Sequence, residues 1–267
     1  MTRTVPQHLY KYLPDRLDRI GDILVHNHIH FSSPVEFNDP FDCARGIRFP
    51  DPANLTKQDE DNWKKYFQHL ATLANYKEAA ADNAFLTGKH KNALFIAECE
   101  DEIEKGITNY GKGQGISCFT DSPSSVSMWA QYASNHRGVV IEFNSDMLKD
   151  DQGKVKSFPV EYIDTYPSLG EYLEAIHSVD PLDFPKLFFC RKSKEWEREQ
   201  EWRLFTRPPN KFLDLPRCAI TRIVFGFRMP PATKNLIEEW VRNRNMPIQL
   251  VDTVPSPDKF EMIMRNR

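Results

Sequence analysis

The chain has 267 residues, of which 40% are hydrophobic and 12% aromatic, so it can build a sizeable core and is not a wholly disordered protein. Its formal net charge of -3 argues against a globally basic nucleic-acid-binding protein but leaves a local basic groove open. No apolar run is long enough to span a membrane and the first residues lack a secretory signal, so we expect no membrane association. Five widely spaced cysteines predict neither a disulfide framework nor a zinc site, and they favour a reducing, cytoplasmic location.

Short predicted strands are separated by helices of unequal length without regular alternation, and this pattern predicts an α+β fold. The predicted strands are His8–Tyr12, Leu24–Phe31, Gly115–Phe119, Val139–Phe143, Val155–Tyr162, Glu199–Phe205, Arg222–Phe227 and Ile248–Val254. The predicted helices outside one helix-rich segment are Pro123–Asn135, Ser168–Val179, Pro185–Lys192 and Thr233–Asn245.

The helix-rich segment extends from about residue 56 to residue 110. It is rich in Ala, Glu, Lys and Leu and poor in β-branched residues, which favours helices. Thr56 and Asp59 have the spacing of a capping box, and a further helix is predicted over Asn92–Asn109. We therefore predict a single domain over residues 1–267 that carries this segment as a helical insert.

The strand predicted at Glu199–Phe205 contains the strongest candidate for catalytic chemistry. Alternation along a strand would place Glu199, Glu201 and Arg203 on one face. Neighbouring carboxylates separate each other's pKa values, and an adjacent guanidinium keeps one of them ionised. This arrangement suits the stabilisation of a developing positive charge or a hydrogen bond to a ribose hydroxyl. The alternative is a solvated edge strand with structural ion pairs.

The helix predicted at Pro123–Asn135 is the second candidate. At 3.6 residues per turn, Trp129, Tyr132 and His136 share one face. The favoured interpretation is an amphipathic helix packed on the sheet, in which His136 would need a partner. The alternative is an indole and a phenol at the edge of a cleft, where they would stack on a planar ring such as nicotinamide or a nucleobase.

A turn and a group of basic residues complete the candidates. Asn38 and Asp39 precede Pro40 in a turn signal, which predicts either a pinned turn or a ligand-binding loop.

Positive charge is concentrated around the carboxylate strand, where it would hold a pyrophosphate or a polyanionic acceptor. These basic residues are Arg191, Lys192, Lys194, Arg198, Arg203, Arg207, Lys211 and Arg217.

His26, His28 and His30 alternate within a predicted strand and would lie on one face. A solvated strand face is the favoured interpretation and a metal site the alternative, because successive side chains on one strand face are too far apart to share an ion easily. The sequence contains no HExxH, GxSxG or nucleotide-binding glycine motif, so the common zincin, hydrolase and kinase classes have no support.

Several segments together resemble a bacterial domain family that long carried no assigned function. They are LYKY, FNDPFD, CFTDSPSSVSMWAQYASNHRGVVIEF, WEREQEWRL and RIVFGFRM, of which MWAQYASNHRG and WEREQEWR are the most specific. The resemblance extends from about Leu9 to the C-terminus and leaves the helical insert unmatched. This family resembles a distant branch of the ADP-ribosyltransferase superfamily, which implies a split β-sheet core.

The resemblance implies an NAD-dependent mono-ADP-ribosyltransferase that uses NAD as co-substrate. Such a protein would be a bacterial toxin or antiphage effector that modifies RNA, DNA or protein, and a neutralising antitoxin protein is expected because an active toxin must be restrained. One alternative is a non-catalytic nucleotide- or nucleic-acid-binding module. Another is a metal-dependent nuclease that uses Asp39, Glu199 and Glu201.

The same resemblance assigns roles to individual residues. Glu201 takes the place of the glutamate that hydrogen-bonds the ribose, much as carboxylates act in glycosidases, and Glu199 would orient the acceptor. Lys11 falls at the first-strand position, where His or Arg is usual, and Thr120 would supply the middle-strand hydroxyl. The candidate cofactor-binding residues are Lys11, Tyr12, Asn38, Asp39, Phe119, Thr120, Trp129, Tyr132 and Arg203.

Overall fold

The computed structural model describes residues 3–43, 46–74, 78–149 and 155–267. The chain divides into two compact units. Unit one consists of Met1–Ser33, Gly113–Val160 and Glu195–Arg267. Unit two consists of Pro34–Lys112 and Glu161–Lys194.

Both strands and helices are present, which confirms the predicted α+β class. The strands are β1 (His8–Leu13), β2 (His28–Phe31), β3 (Gly115–Thr120), β4 (Val139–Asn144), β5 (Lys156–Pro159), β6 (Glu161–Ile163), β7 (Arg191–Ser193), β8 (Glu201–Thr206), β9 (Lys211–Asp214), β10 (Ile220–Phe225), β11 (Gln249–Pro255) and β12 (Met262–Asn266). The α-helices are α1 (Leu17–Leu24), α2 (Lys57–Leu73), α3 (Glu78–Leu86), α4 (Ala93–Lys112), α5 (Val126–Tyr132), α6 (Leu169–His177), α7 (Asp183–Phe189) and α8 (Pro231–Arg244).

Unit one is built on an eight-stranded mixed sheet with the order β12-β11-β10-β4-β1-β3-β8-β5. In this sheet β10 and β11 are parallel, and the other neighbouring strands are antiparallel. A separate antiparallel pair, β2 with β9, also belongs to unit one. Unit two contains the parallel pair β6 and β7 beside helices α2, α3, α4, α6 and α7.

The larger core of unit one lies on the face of the sheet that packs against α1 and α8, which we call the α8 face. Leu9, Ile141 and Phe225 point to this face from three neighbouring strands, and they belong to the same buried cluster as Ile20 of α1 and Ile237 of α8. Because side chains alternate along a strand, the residues between them point to the other face.

That other face packs against α5, and we call it the α5 face. Its apolar cluster combines Tyr12, Val140 and Val224 of the sheet with Met128 and Trp129 of the helix. Alternate side chains of the central strands therefore point into two different cores, as expected for a sheet covered on both sides.

Two predicted strands are wrong in part. The strand predicted from Leu24 begins only at His28, because Leu24 ends α1, whose apolar residues recur at helical spacing. The strand predicted at Val155–Tyr162 is divided into β5 and β6. Around the division, the amide of Val160 donates to Glu201 O at 2.9 Å within unit one, whereas the amide of Glu161 donates to Cys190 O at 2.7 Å within unit two.

Two predicted helices are shorter than expected. α5 is limited to Val126–Tyr132, because Ser125 caps its start and residues 134–136 adopt positive φ. The helix predicted at Pro185–Lys192 ends at Phe189, and the chain then forms β7. In addition, α1, β7, β9 and β12 were not predicted.

Within unit two, the segment predicted to be helical from about residue 56 to residue 110 contains α2, α3 and α4, of which α3 was not predicted as a separate helix. The capping box is confirmed, since Asp59 N donates to Thr56 Oγ1 at 3.2 Å and Thr56 N donates to Asp59 Oδ2 at 2.9 Å. A second box at Ser168 and Glu171 starts α6 in the same way. These ends depend on local hydrogen bonds, which is why the sequence predicts them well.

Candidate active site

A row of polar side chains crosses the α5 face of the sheet. Register pairing connects Glu201 of β8 to Thr120 of β3, Thr120 to Tyr10 of β1, Tyr10 to Glu142 of β4, and Glu142 to Arg222 of β10. Paired residues of adjacent strands have side chains on the same face, with Cβ atoms about 5 Å apart. We call these five residues the polar row.

Glu201 and Arg203 form a buried ion pair at one end of this row. Arg203 Nε donates to Glu201 Oε1 at 2.7 Å, and Arg203 NH2 donates to Oε2 at 3.0 Å. The two residues are 4% and 0% exposed. A bidentate guanidinium favours the ionised form of the carboxylate.

Cys118 lies beside this pair, as the register partner of Arg203. Burial, and then the charge of Glu201, raise the pKa of the Cys118 thiol well above its usual range, and the thiol also hydrogen-bonds to Glu201. The thiol is therefore protonated at neutral pH. A protonated thiol is a poor nucleophile, so Cys118 is an uncharged neighbour of Glu201 and not a candidate nucleophile.

Glu199 does not share a strand with Glu201, which corrects the prediction of a Glu199–Phe205 strand. A 3-10 helix covers Lys194–Glu199, Gln200 adopts a positive φ of 47°, and β8 begins at Glu201. The left-handed Gln200 interrupts the alternation, because a β-strand requires extended dihedrals. The two carboxylates therefore do not lie on the same face of one strand.

Glu199 nevertheless becomes buried, with 5% of its surface exposed. Tyr132, the last residue of α5, donates its hydroxyl hydrogen to Glu199 Oε1 at 2.7 Å. The predicted site residues Tyr132 and Glu199 are thus in direct contact, through a short hydrogen bond between a phenol and a carboxylate.

Trp129 is a core residue with 0% exposure, as the favoured interpretation of the helix held. Its indole N–H donates to Pro123 O at 2.9 Å, and its ring contacts Tyr12 edge-on at 5.4 Å. Tyr12 is itself buried and donates to Ser122 O at 3.1 Å. Burial raises the Tyr12 pKa above its usual range. Both rings join the sheet to α5.

Lys11 and Phe119 point to the α8 face, because Lys11 alternates with Tyr10 and Tyr12 and Phe119 pairs with Trp202. Lys11 Nζ donates to Ser117 Oγ and to Cys118 O, both at 2.9 Å, and lies 4.8 Å from the centre of the Phe119 ring. Burial lowers the Lys11 pKa. The sheet thus separates these two candidates from the Glu201 carboxylate.

Thr120 is fully buried within the polar row, next to Glu201. Its hydroxyl oxygen accepts a hydrogen bond from the amide of Ser122 at 3.1 Å. The hydroxyl hydrogen remains a donor with a rotatable position, and the cross-strand neighbour on that face is a carboxylate.

Asn38 and Asp39 belong to unit two. Asp39 Oδ1 accepts a hydrogen bond from the amide of Phe41 at 2.9 Å, and Asp39 O accepts another from Asp42 N at 3.2 Å. The predicted turn is confirmed, since the aspartate side chain closes an Asx-type hydrogen bond.

Sequence reasoning missed the other half of the polar row. Glu142 is 3% exposed, and it accepts a 2.6 Å hydrogen bond from the Thr221 hydroxyl and forms a 3.2 Å ion pair with Arg222. Burial and a hydrogen bond to Glu142 raise the pKa of Tyr10 to about 12. A single carboxylate within the apolar run Val139–Phe143 was the available signal, because buried charges require partners.

Several of the basic residues near the carboxylate strand form ion pairs with acids. In unit two, Arg191 contacts Glu161 at 2.9 Å, and Lys194 contacts Asp164 at 2.8 Å. Basic residues in charge-rich segments commonly pair with nearby acids in this way. Arg191 and Lys194 are therefore held in ion pairs, and the contact with a pyrophosphate or a polyanionic acceptor stays a prediction.

The histidine motif is partly a strand. His28 and His30 lie in β2 and contact the Phe212 ring at 5.4 and 5.2 Å, and His28 Nε2 lies 3.0 Å from Asp214 Oδ1. Among the described residues, no group of three or more His, Cys, Asp or Glu is placed to hold a metal ion.

No helix in the described part of the chain is both long and apolar enough to cross a membrane.

The family described as "Protein of unknown function (DUF2971)" matches residues 128–204, from α5 through most of β8. This stretch contains Tyr132, Glu142, Glu199, Glu201 and Arg203. No curated protein and no solved structure matches the chain.

Proposed function

We propose that the protein is an NAD-dependent ADP-ribosyltransferase whose reacting end lies at Glu201. The observation that supports this most is the buried Glu201 carboxylate in its bidentate pair with Arg203, with Thr120 and then Tyr10 beside it on adjacent strands. A negative charge in a dry, preorganised site stabilises a developing positive charge far more than it would in water.

In the proposed reaction, the bond between the ribose anomeric carbon and the nicotinamide nitrogen breaks, and positive charge develops on the ribose. The acceptor nucleophile then bonds to the same carbon and loses its proton. Glu201 accepts a hydrogen bond from a ribose hydroxyl and stabilises the oxocarbenium-like ring, as carboxylates do in glycoside hydrolysis. Arg203 holds the Glu201 carboxylate in a fixed orientation through two hydrogen bonds.

The other residues have supporting roles in this proposal. Thr120 and Tyr10 supply hydroxyl groups in the polar row for the ribose, and they replace Lys11, which lies on the opposite face, at that contact. Glu199, held by Tyr132, is assigned to orient the acceptor and receive its proton. Trp129 supports α5 from the core and is not used as a nicotinamide clamp. The acceptor is a nucleic acid or a protein, and a neutralising partner protein would restrain the activity.

The test is incubation of the full chain with adenine-labelled NAD and with RNA, DNA or protein acceptors. We expect label transfer or nicotinamide release by the unmodified protein and a loss of about 100-fold or more in Glu201→Gln. Glu239→Gln, which changes an exposed glutamate of α8, is the matched control and should retain activity. Because Glu201→Gln also disturbs Arg203, Thr120→Val provides a second variant that leaves the ion pair intact. Absence of transfer and of NAD hydrolysis in the unmodified protein would disprove the proposal.

A further inference from the structure

The chain makes a left-handed turn immediately after α5. Ser134, Asn135 and His136 have φ values of 48°, 54° and 68°. Residues with a β-carbon adopt this conformation singly in turns, and a run of three is unusual because each residue meets steric repulsion. Such a turn persists when surrounding contacts determine it, and strained turns of this kind are concentrated at functional sites.

The loop after β10 holds this turn in place. Arg228 N donates to His136 O at 3.0 Å, and Gly226 N donates to Gly138 O at 3.0 Å. A β-carbon at Gly226 would lie 2.2 Å from His136 O, so glycine is required for this backbone contact. Backbone hydrogen bonds therefore hold the chain at His136 and at Gly138.

His136 presents a neutral ring in an apolar environment. It is 9% exposed, stacks on Trp129 with ring centroids 6.1 Å apart, and contacts Phe227 edge-on at 5.0 Å. Its Nδ1 is buried and has no hydrogen-bond partner among the described residues. Burial, with a smaller effect of the Arg228 charge, lowers the pKa of His136, so the ring is uncharged at neutral pH with one nitrogen as donor and one as acceptor.

His136 lines a cavity of about 490 Å³ within unit one. The cavity is also bounded by Val126, Phe227 and residues 255–262, which include Phe260. Its volume falls within the range of roughly 300–1,000 Å³ that is typical of small-molecule sites. Phe260 is fully exposed and Phe227 is 38% exposed, so two aromatic rings are available beside the His136 imidazole.

We propose that this cavity binds the base of a purine nucleoside or nucleotide, between the aromatic rings and in hydrogen-bonding contact with His136. Aromatic rings beside an uncharged imidazole favour a planar heteroaromatic ligand, and Ser256, Asp258, Lys259 and Glu261 supply polar groups elsewhere in the lining. Purines carry ring-nitrogen acceptors and exocyclic groups along one edge, which complement a neutral imidazole. The volume also suits a two-ring base with its sugar. This site uses none of the polar row and is independent of the proposed transferase function.

Calorimetric titration of the full chain with adenosine, AMP, guanosine and uridine tests the site. We expect saturable binding of a purine nucleoside with one ligand per chain, and weaker binding of uridine. Phe260→Ala should weaken purine binding by about fivefold or more, through loss of ring contact. His136→Asn, chosen because asparagine tolerates left-handed backbone, should weaken it by about tenfold. Tighter binding of AMP than of adenosine would place the phosphate near Lys259 and support the site.

Two control variants separate this proposal from other causes. Phe212→Ala removes a half-exposed ring that does not line the cavity and should leave the affinity unchanged. Glu201→Gln should also bind purines normally, which distinguishes failure here from failure of the transferase proposal. Absence of purine binding at millimolar concentrations, equal affinity for uridine, or wild-type binding by Phe260→Ala would overturn the proposal. The Phe260→Ala result holds even if His136→Asn does not fold, because Phe260 lies on an exposed loop.

Discussion

The hydroxyl of Tyr132 donates a 2.7 Å hydrogen bond to the buried carboxylate of Glu199, across 67 positions of sequence. This bond joins the end of α5 to the 3-10 helix that precedes β8, the strand that carries Glu201. Removal of the bond should therefore affect both stability and the candidate site.

Tyr132→Phe should lower the free energy of unfolding by about 1.5–3 kcal/mol, because a buried carboxylate loses a donor. Urea unfolding measures this change. Tyr166→Phe, at a tyrosine that is 40% exposed, is the control and should change stability by less than about 0.5 kcal/mol. Equal effects of the two substitutions would show that the Tyr132 hydrogen bond contributes nothing specific.

Glu201 and Arg203 should be strongly coupled. Glu201→Gln and Arg203→Met each break the buried bidentate ion pair, and each should lower the free energy of unfolding by about 3 kcal/mol or more. The double variant removes both charges together, so its loss should fall short of the sum by about 2 kcal/mol. A double-mutant cycle by urea unfolding gives this number. Additivity within about 0.5 kcal/mol would mean that the pair is not a unit.

Gly138 and Gly226 should not tolerate alanine. A β-carbon at Gly138 would lie 2.0 Å from Leu13 O, and one at Gly226 would lie 2.2 Å from His136 O. Because backbone must move in both cases, we expect losses of about 3 kcal/mol or more in thermal or urea unfolding. Gly106→Ala is the matched control: nothing lies within 4 Å of its β-carbon position in α4, so it should be stabilising by about 1 kcal/mol. A neutral Gly138→Ala would contradict the structure.

Stability should decrease as the pH falls below 6.5. Burial lowers the pKa values of His69, His90 and His136 from that value in the folded chain. As the pH falls, the unfolded chain therefore binds protons before the folded chain does. The contribution of these histidines to the free energy of unfolding is fully present above pH 6.5 and decreases below it. Urea unfolding at several pH values measures the slope.

His90 allows a direct check of that slope. Its ring is 3% exposed and stacks on Phe85 at 4.4 Å, and neither ring nitrogen has a partner among the described residues. His90→Phe should raise the free energy of unfolding by about 1 kcal/mol at neutral pH and reduce its loss in acid. An unchanged acid slope would show that His90 does not contribute to the pH dependence.

Local features of the fold were predicted correctly where a local interaction creates them. The capping box at Thr56, the long helix α4 and the centres of β3, β4 and β10 follow from hydrogen bonds or from burial of one segment, which leave a periodic pattern in the sequence. Element ends were predicted less well. Leu24 and Glu199 were assigned to strands because a continuous pattern does not show where the positive φ of Asn27 or of Gln200 interrupts it.

The sequence by itself determined the α+β class, most helices, and Glu201 as a strand carboxylate beside Arg203. Tertiary structure decided which side chains meet. Glu201, Thr120 and Tyr10 become neighbours only through strand pairing across more than 80 positions, and Lys11, which alternates with Tyr10 along β1, lies on the opposite face. Periodicity records whether a side chain is buried, whereas register depends on contacts between distant segments, for which one sequence carries no local signal.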